Sequence, residues 1–320
     1  MRSAVVAAVV VGVLAATGLA PSSAGSAEPS SVLARYVPVL ELYAVDRKPS
    51  AIEPFLAGAD LERLSRGGVW RVVRRSPPAS ALANGSEQLR LDTRGCSPAT
   101  SAPTCYPVRR TSPTVYGRIW TTTGASAGTT VLQYWLFYTL NDWRNSPTKP
   151  TLWYLHEGDW EEVSVELSPA GKPVAVAVSQ HNLGVNRPWA RTPREGTHPV
   201  VYVALGSHAN YLSPGHRGVA TIPHVVPPRF SGFPLPQPDF TAAQATVRSP
   251  AVVDVSDLRP PWLSFAGAWG DGSYVLARQN TTSKTYTRLR IGDSPPGPAF
   301  HDIWRDPLQQ FRIWPADDGH

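Results

Sequence analysis

The stretch Asp159-Trp160-Glu161-Glu162-Val163-Ser164-Val165-Glu166-Leu167, followed by Ser168-Pro169-Ala170-Gly171-Lys172-Pro173 and then Val174-Ala175-Val176-Ala177-Val178-Ser179-Gln180-His181, sets the fold class. Two β-branched runs flank a turn built from Ser, Pro, Gly and Lys, and that pattern predicts an antiparallel hairpin. With a two-residue side-chain period, Asp159, Glu161, Val163, Val165 and Leu167 share one face. Trp160, Glu162, Ser164 and Glu166 share the other, which reads as the wetter one. Outward from the hairpin, Val115–Thr122, Thr130–Tyr138 and Pro199–Leu205 have the same Val, Tyr, Trp and Thr enrichment and turn-rich flanks, so each is expected to be a strand. A short helix is expected around Ala59–Leu64 with Asp60 as its cap, and residues 76–114 read as an extended loop. The aromatic run Tyr134–Tyr138 reads as core. No internal repeat and no sharp linker interrupts the chain. The reading is mainly β, a single β-sandwich domain over residues 28–320 with long Pro-rich loops and a few short helices.

Composition agrees with short strands and many loops. Proline makes up 33 of 320 residues, about twice the usual ~5% share. The chain starts Met1-Arg2-Ser3, continues through an apolar run to about Ala20 and ends that segment in Pro21-Ser22-Ser23-Ala24-Gly25-Ser26-Ala27. One positive charge, a short apolar core and small residues before a cut are the parts of a secretory signal peptide, so residues 1–27 are expected to be removed after Ala24 or Ala27. The run is interrupted by Gly12 and Gly18 and is short for a membrane span, and no second run is long enough to cross a bilayer. A secreted, soluble mature chain follows as the expectation, with a monomer the simplest state. The net charge of +6 falls by one when Arg2 leaves. A mild basic excess, clustered at Arg71, Arg74, Arg75 and at Arg109, Arg110, suits anionic surfaces or simply confers solubility. No nucleic-acid motif is present. Cys96 and Cys105 are the two cysteines, and in an exported chain they are expected to close a short loop as a disulfide. Such a loop is a local staple of about 2.5–3 kcal/mol.

The chemistry is expected around His156-Glu157-Gly158-Asp159-Trp160-Glu161. Asp159 and Glu161 extend an otherwise apolar, core-facing row, and carboxylates taken out of water need a cation or hydrogen bonds. A bound metal ion satisfies both, as do an arginine, backbone amides or a solvated sheet edge. If Leu167 opposes Val174, His181 falls opposite Trp160 at the same sheet edge, and a one-residue slip would turn it onto the carboxylate face. The connection Asn182–His198 is long enough to cross over and bring His208, in Gly206-Ser207-His208-Ala209-Asn210-Tyr211, to that edge. His156 is read as preceding the strand by a turn at Gly158, and Asp142 is a candidate third acid. Trp143, Trp153 and Trp160 offer either an aromatic wall for headgroups or ordinary core. Stricter motifs fail. His156-Glu157 is not H-E-x-x-H, because position 160 is Trp. Gly124-Ala125-Ser126-Ala127-Gly128 matches G-x-S-x-G but leads into a strand, where a nucleophile elbow needs a helix, so it reads as a hairpin loop.

Gln133–Tyr138, His156–Glu161, Ser179-Gln180-His181 and Ala204–Tyr211 together resemble the vacuolar protein sorting-associated protein 62 family. The likeness extends to Tyr36–Leu40 and Phe265–Gly270, and therefore spans most of the mature chain in order. The family's biochemical function is poorly defined. A looser resemblance is to the necrosis-inducing, Nep-like cytolysins, secreted β-sandwiches with the signature G-H-R-H-D-W-E, a divalent-cation site and affinity for sphingolipid headgroups. That resemblance implies metal-site roles for His156, Asp159 and Glu161, with Asp142 as the remaining acid. Leu155, Glu157 and Gly158 depart from the signature. Oxygen-rich ligands with histidine suit Mg²⁺, Ca²⁺ or Mn²⁺ and also admit zinc. The expected function is cation-dependent binding of glycan or lipid headgroups, possible cytolysin-like activity included. The alternative is a metal-dependent hydrolase with His181 or His208 as catalytic general base. A third reading is an exported structural domain that holds no metal.

Overall fold

The computed structural model describes residues 31–83, 86–98, 106, 112–122, 128–181, 183–218, 238–257, 259–301, 304 and 307. The expected leader and Cys105 lie outside the described residues. The described chain opens with a short helix α1 (Ser31–Tyr36) and strand β1 (Val39–Leu42). Helix α2 (Glu53–Gly58) carries Pro54 in its first turn, where the missing N–H leaves no hydrogen bond unmade. Strands β2 (Ala59–Leu64), β3 (Trp70–Arg75) and β4 (Leu89–Thr93) then form a small sheet with β2 in the middle. The helix expected at Ala59–Leu64 is therefore corrected to a strand: Asp60 caps nothing and pairs instead with Arg94 at 2.9 Å. Residues 76–114 are likewise not loop throughout, since they include β4 and a 3-10 turn at Ala79–Leu82.

The decisive hairpin is present, with longer strands than expected. β5 (Thr114–Thr121), β6 (Thr130–Arg144), β7 (Leu152–Leu167), β8 (Pro173–Gln180) and β9 (Leu183–Pro188) run antiparallel in succession. Val163 faces Val178, which is the register expected from Leu167 opposite Val174; a bulge at the turn moves Leu167 onto Pro173. β5 and β6 form the hairpin expected around the G-x-S-x-G match, whose own residues 124–127 are not described. After β9 come β10 (Arg194–Glu195), β11 (His198–Val203), β12 (Asn210–Tyr211), β13 (Gly215–Gly218), β14 (Pro238–Thr241), β15 (Ala245–Val247), β16 (Ala251–Asp254), β17 (Ser273–Ala277) and β18 (Thr287–Gly292).

These strands pack as a mainly β sandwich with an added third layer. The central sheet runs β16-β5-β6-β7-β17-β18, with β8 and β9 attached at β7. One face carries Leu132, Tyr134, Leu136 and Tyr138 from β6 and Val163, Val165 and Leu167 from β7. It packs on a second sheet, β10-β11-β1-β15, through Leu40, Leu42, Val201, Val203 and Val247. The opposite face presents Trp135, Phe137 and Trp160. Residues from α2, β2, β4 and the C-terminal Trp262, Phe265 and Trp269 cover it. This corrects the expectation of a wetter face: Trp160, Glu162, Ser164 and Glu166 are at most 2% exposed, because the third layer closes over them. Among the described residues no helix is long and apolar enough to cross a membrane.

One topological detail places the site. On the side away from β6, residues 152–156 of β7 pair with β17, whereas residues 163–167 pair with β8. Between them β7 has no described strand neighbour on that side, so the sheet forks across residues 157–162.

Candidate functional site

The fork is lined from β7 itself. His156 does not precede the strand, as expected from sequence, but sits within it opposite Asn141, and the ladder runs through Gly158 without losing register. Gly158 has φ +60°, in the left-handed region where only glycine is free of Cβ strain, and a Cβ there would collide with the backbone and side chain of Trp269. That torsion breaks the simple alternation of the strand. Glu157 meets the third layer, accepting from Thr93 N–H at 3.2 Å, Asp271 N–H at 3.1 Å and the Tyr106 hydroxyl. Asp159 meets the opposite layer at His208, and His156 stays with it, Nε2 lying 3.9 Å from Asp159 Oδ1. Burial pushes the Glu157 carboxyl up to about 8, against the hydrogen bonds from Thr93 and Tyr106.

His208 arrives from the tight loop between β11 and β12, which Ala204 and His208 close by backbone bonds to Ala209 and Ala204. Gly206, at φ +76°, lets that loop press on β6, where a Cβ would lie 2.5 Å from the Asp142 carbonyl oxygen. The His208 ring is fully buried, stacks on Tyr138 at 3.8 Å between centroids, and contacts Asp159 Oδ2 at 2.8 Å and Asp46 Oδ1 at 3.5 Å. Burial works against its charge, but the hydrogen bonds and charges of Asp159 and Asp46 win and raise it to about 9. At neutral pH His208 is thus an internal cation between two carboxylates. Asp46 is held below the usual carboxylate range against burial, by His208 and by N–H donors from Gly206 and Arg47.

His181 lies at the same end of the sheet. It pairs through Nε2 with Asp239 Oδ2 at 2.8 Å. Asp239 is fully buried and also accepts from Ser207 Oγ at 2.7 Å and Tyr211 OH at 2.8 Å. Burial opposes the His181 charge, and Asp239 more than offsets it, raising the imidazole above its ordinary value. His181 and His208 are two of the four described non-glycine residues at positive φ, +57° and +56°. A side chain held in that region costs about 1–3 kcal/mol and persists only where its surroundings over-determine it. Here the Asp239 and Asp159 bonds supply that constraint.

Glu161 completes the wall, 3% exposed, with Ser179 Oγ donating to its Oε2. Burial first, and then the neighbouring Asp159, push its carboxyl well above the ordinary range. Asp142 does not join this wall. Arg47 and Arg144 hold its two oxygens at 3.1 and 2.8 Å. The aromatic trio is also separated: Trp160 is core, Trp143 donates to the Pro238 carbonyl, and Trp153 packs against Tyr286.

The donor set suits an ion in part. His156 Nδ1 lies 3.1 Å from the Glu157 carbonyl, which can only accept, so Nδ1 carries the proton and Nε2 keeps its lone pair toward Asp159. Burial favours the neutral imidazole that ligation needs. Asp159 and Glu161 lie on the same strand edge, and Glu161 lacks a cationic partner among the described residues. The three groups do not already enclose a site. Among the described residues no group of three or more His, Cys, Asp or Glu side chains stands in metal-holding geometry. Of the four residues expected at an ion, His156, Asp159 and Glu161 line the fork, while Asp142 is contacted by Arg47 and Arg144.

Sequence reasoning found His156, Asp159, Glu161, His181 and His208 and missed Asp46, Asp239, Ser179 and the two arginines on Asp142. Ser179-Gln180-His181 and Ser207-His208 did carry two of the hydroxyl partners next to histidines. Asp46 and Asp239 stand far away in sequence with no local pattern to mark them.

No family model matches the chain. It is 26% identical over 212 residues to vacuolar protein sorting-associated protein 62 of Saccharomyces cerevisiae, an alignment covering 57% of this chain and 43% of that protein. The chain thus spans less than half the length of that relative. Among solved structures, it is similar to one described as a toxin fold for microbial attack and plant defense, at 16% identity and a TM-score of 0.36. That superposition covers 72% of this chain and 76% of the other. It is similar also to NLPPya in complex with mannosamine, at 15% identity and a TM-score of 0.37 over the same shares. The yeast relative bears the name of the first family that the sequence motifs resemble.

Proposed function

We propose that the protein is an exported, divalent-cation-dependent binding protein for polar headgroups of glycans or lipids, with its ion held by His156, Asp159 and Glu161. The supporting observation is the setting of the His156 ring, whose Nδ1 lies 3.1 Å from the Glu157 carbonyl oxygen. Its proton is committed to the Glu157 carbonyl, so an unprotonated imidazole nitrogen faces a carboxylate at the mouth of the fork. A bound divalent ion supplies a Lewis-acidic contact for headgroup oxygens. The chain's own residues orient that contact. His208 and Asp46 fix Asp159, Ser179 fixes Glu161, and Asp239 fixes the His181 ring. The chain is read as one domain over residues 28–320, secreted after loss of residues 1–27 and monomeric, with Mg²⁺, Ca²⁺ or Mn²⁺ favoured over zinc by the oxygen-rich set.

A second reading, a metal-dependent hydrolase, draws on the His181–Asp239 pair. A buried carboxylate that fixes one imidazole nitrogen leaves the other free to move a proton.

Metal content and cation-dependent melting of the mature chain, measured with and without Asp159→Ala, test the proposal. A stoichiometric ion, lost in the folded variant, supports it and justifies screening headgroups in the presence of that ion. No bound ion and no cation effect on melting would leave the fork as a buried polar network. Turnover of a headgroup ester that is abolished by His181→Ala would favour the hydrolase.

A further inference from the structure

The β2–β3 hairpin stands apart from the rest of the surface. Every residue of β3 except Trp70 is exposed, although adjacent strand residues point to opposite faces, so this strand projects beyond the body with both faces in water. Val69, Val72 and Val73 are 55%, 47% and 51% exposed. They are three of the eight large apolar side chains that the described surface leaves strongly exposed, gathered within five residues. Interleaved with them are Arg63, Arg66, Arg71, Arg74 and Arg75, all exposed. The hairpin's two acids do not neutralise this charge, because Asp60 is held by Arg94 and Glu62 by Arg90. None of the five arginines has an ion-pair partner among the described residues. Among the described residues β3 pairs only with β2, which leaves its outer edge open there.

We infer that this hairpin docks the protein on an anionic phospholipid surface. Charged residues also protect an open strand edge from pairing with other chains, but protection needs no apolar groups. Val72 and Val73, both about half exposed at a bulge in this strand, would work against it. A bilayer interface uses both kinds of side chain. Valines enter the headgroup–acyl boundary, while arginines bind phosphate oxygens through paired N–H donors. A polyanionic glycan would use the arginines alone. The docking needs no metal ion and is independent of the fork site.

Sedimentation of the mature chain with phosphatidylcholine vesicles, with and without phosphatidylserine, tests this in the presence of a chelator. Binding is expected only with phosphatidylserine and should weaken with salt. It should be unchanged in Asp159→Ala. Each arginine should contribute about fivefold to partitioning, so the triple variant R71E/R74E/R75E should abolish binding without altering the melting temperature. V72S/V73S should weaken it several-fold with the charge intact. Equal binding to neutral vesicles, undiminished binding by the arginine variant, or indifference to the valine changes would overturn the inference. The last result, with retention on a sulfated polysaccharide, would assign the hairpin to a polyanion instead.

Discussion

At Gly158 the backbone takes φ +60°, and any side chain there would meet Trp269. Glu157 and Asp159 can therefore be delivered to opposite layers while His156 and Asp159 remain neighbours. Gly158→Ala is expected to cost about 3 kcal/mol, from left-handed strain plus overpacking, and to lower cation affinity with it. Urea unfolding and metal titration read the two effects. Asp239 accepts from three side chains on two separate segments, His181 after β8 and Ser207 and Tyr211 around β12. Asp239→Ala leaves the His181 imidazole and two hydroxyls without their acceptor, and should destabilise the fold by about 3 kcal/mol. His181→Gln removes only one of the three donors to Asp239 and should cost less, so the pair is separable by comparing the two melts.

At the scale of elements, β7 carries a row of acids through the interior. Burial raises Glu157 and Glu162 each to about 8, against the hydrogen bonds they accept. Their unfolded values lie near 4.3. Between those limits the folded chain holds more protons than the unfolded chain. Stability is therefore greatest toward pH 5 and falls as pH rises to about 8. Below pH 4 the sign reverses, because Asp46 and Asp239 have folded values under their unfolded ones and lose their stabilisation as they protonate. Thermal melts over pH 3–9 should show this maximum on the acid side of neutrality. Glu162→Gln should flatten the limb between pH 5 and 8. A melting temperature that rises steadily to pH 8 would contradict the assignment. The strands themselves were legible, since β-branched runs bounded by Pro, Gly and Ser mark β5 to β8, while the register between β7 and β8 was left open to a one-residue slip that the pairing of Val163 with Val178 decides. Ala59–Leu64 was misread because a buried, half-apolar segment of six residues has no length by which to tell helix from strand. Its pairing with β3 and β4 decided the matter.

For the whole molecule, export is the expectation that rests on residues 1–27. Material recovered outside the cell should begin at Gly25 or Glu28, read by N-terminal sequencing, with Cys96 and Cys105 resistant to alkylation until reduced. The wet face expected for Trp160, Glu162, Ser164 and Glu166 shows the limit of a two-state pattern at this scale. Alternation tells which residues share a face, but not whether another layer will cover it. The sequence by itself determined the β class and the strand runs of the central hairpins, and it marked five of the side chains that line the fork, because strand runs follow from local periodicity and turn chemistry. Only the tertiary structure decided that Asp142 is held by Arg47 and Arg144, that Asp46 and Asp239 hold the two histidines, and that β7 is covered on both faces. Those outcomes depend on groups brought together from distant parts of the chain by burial of two apolar cores, and no short window of residues contains them.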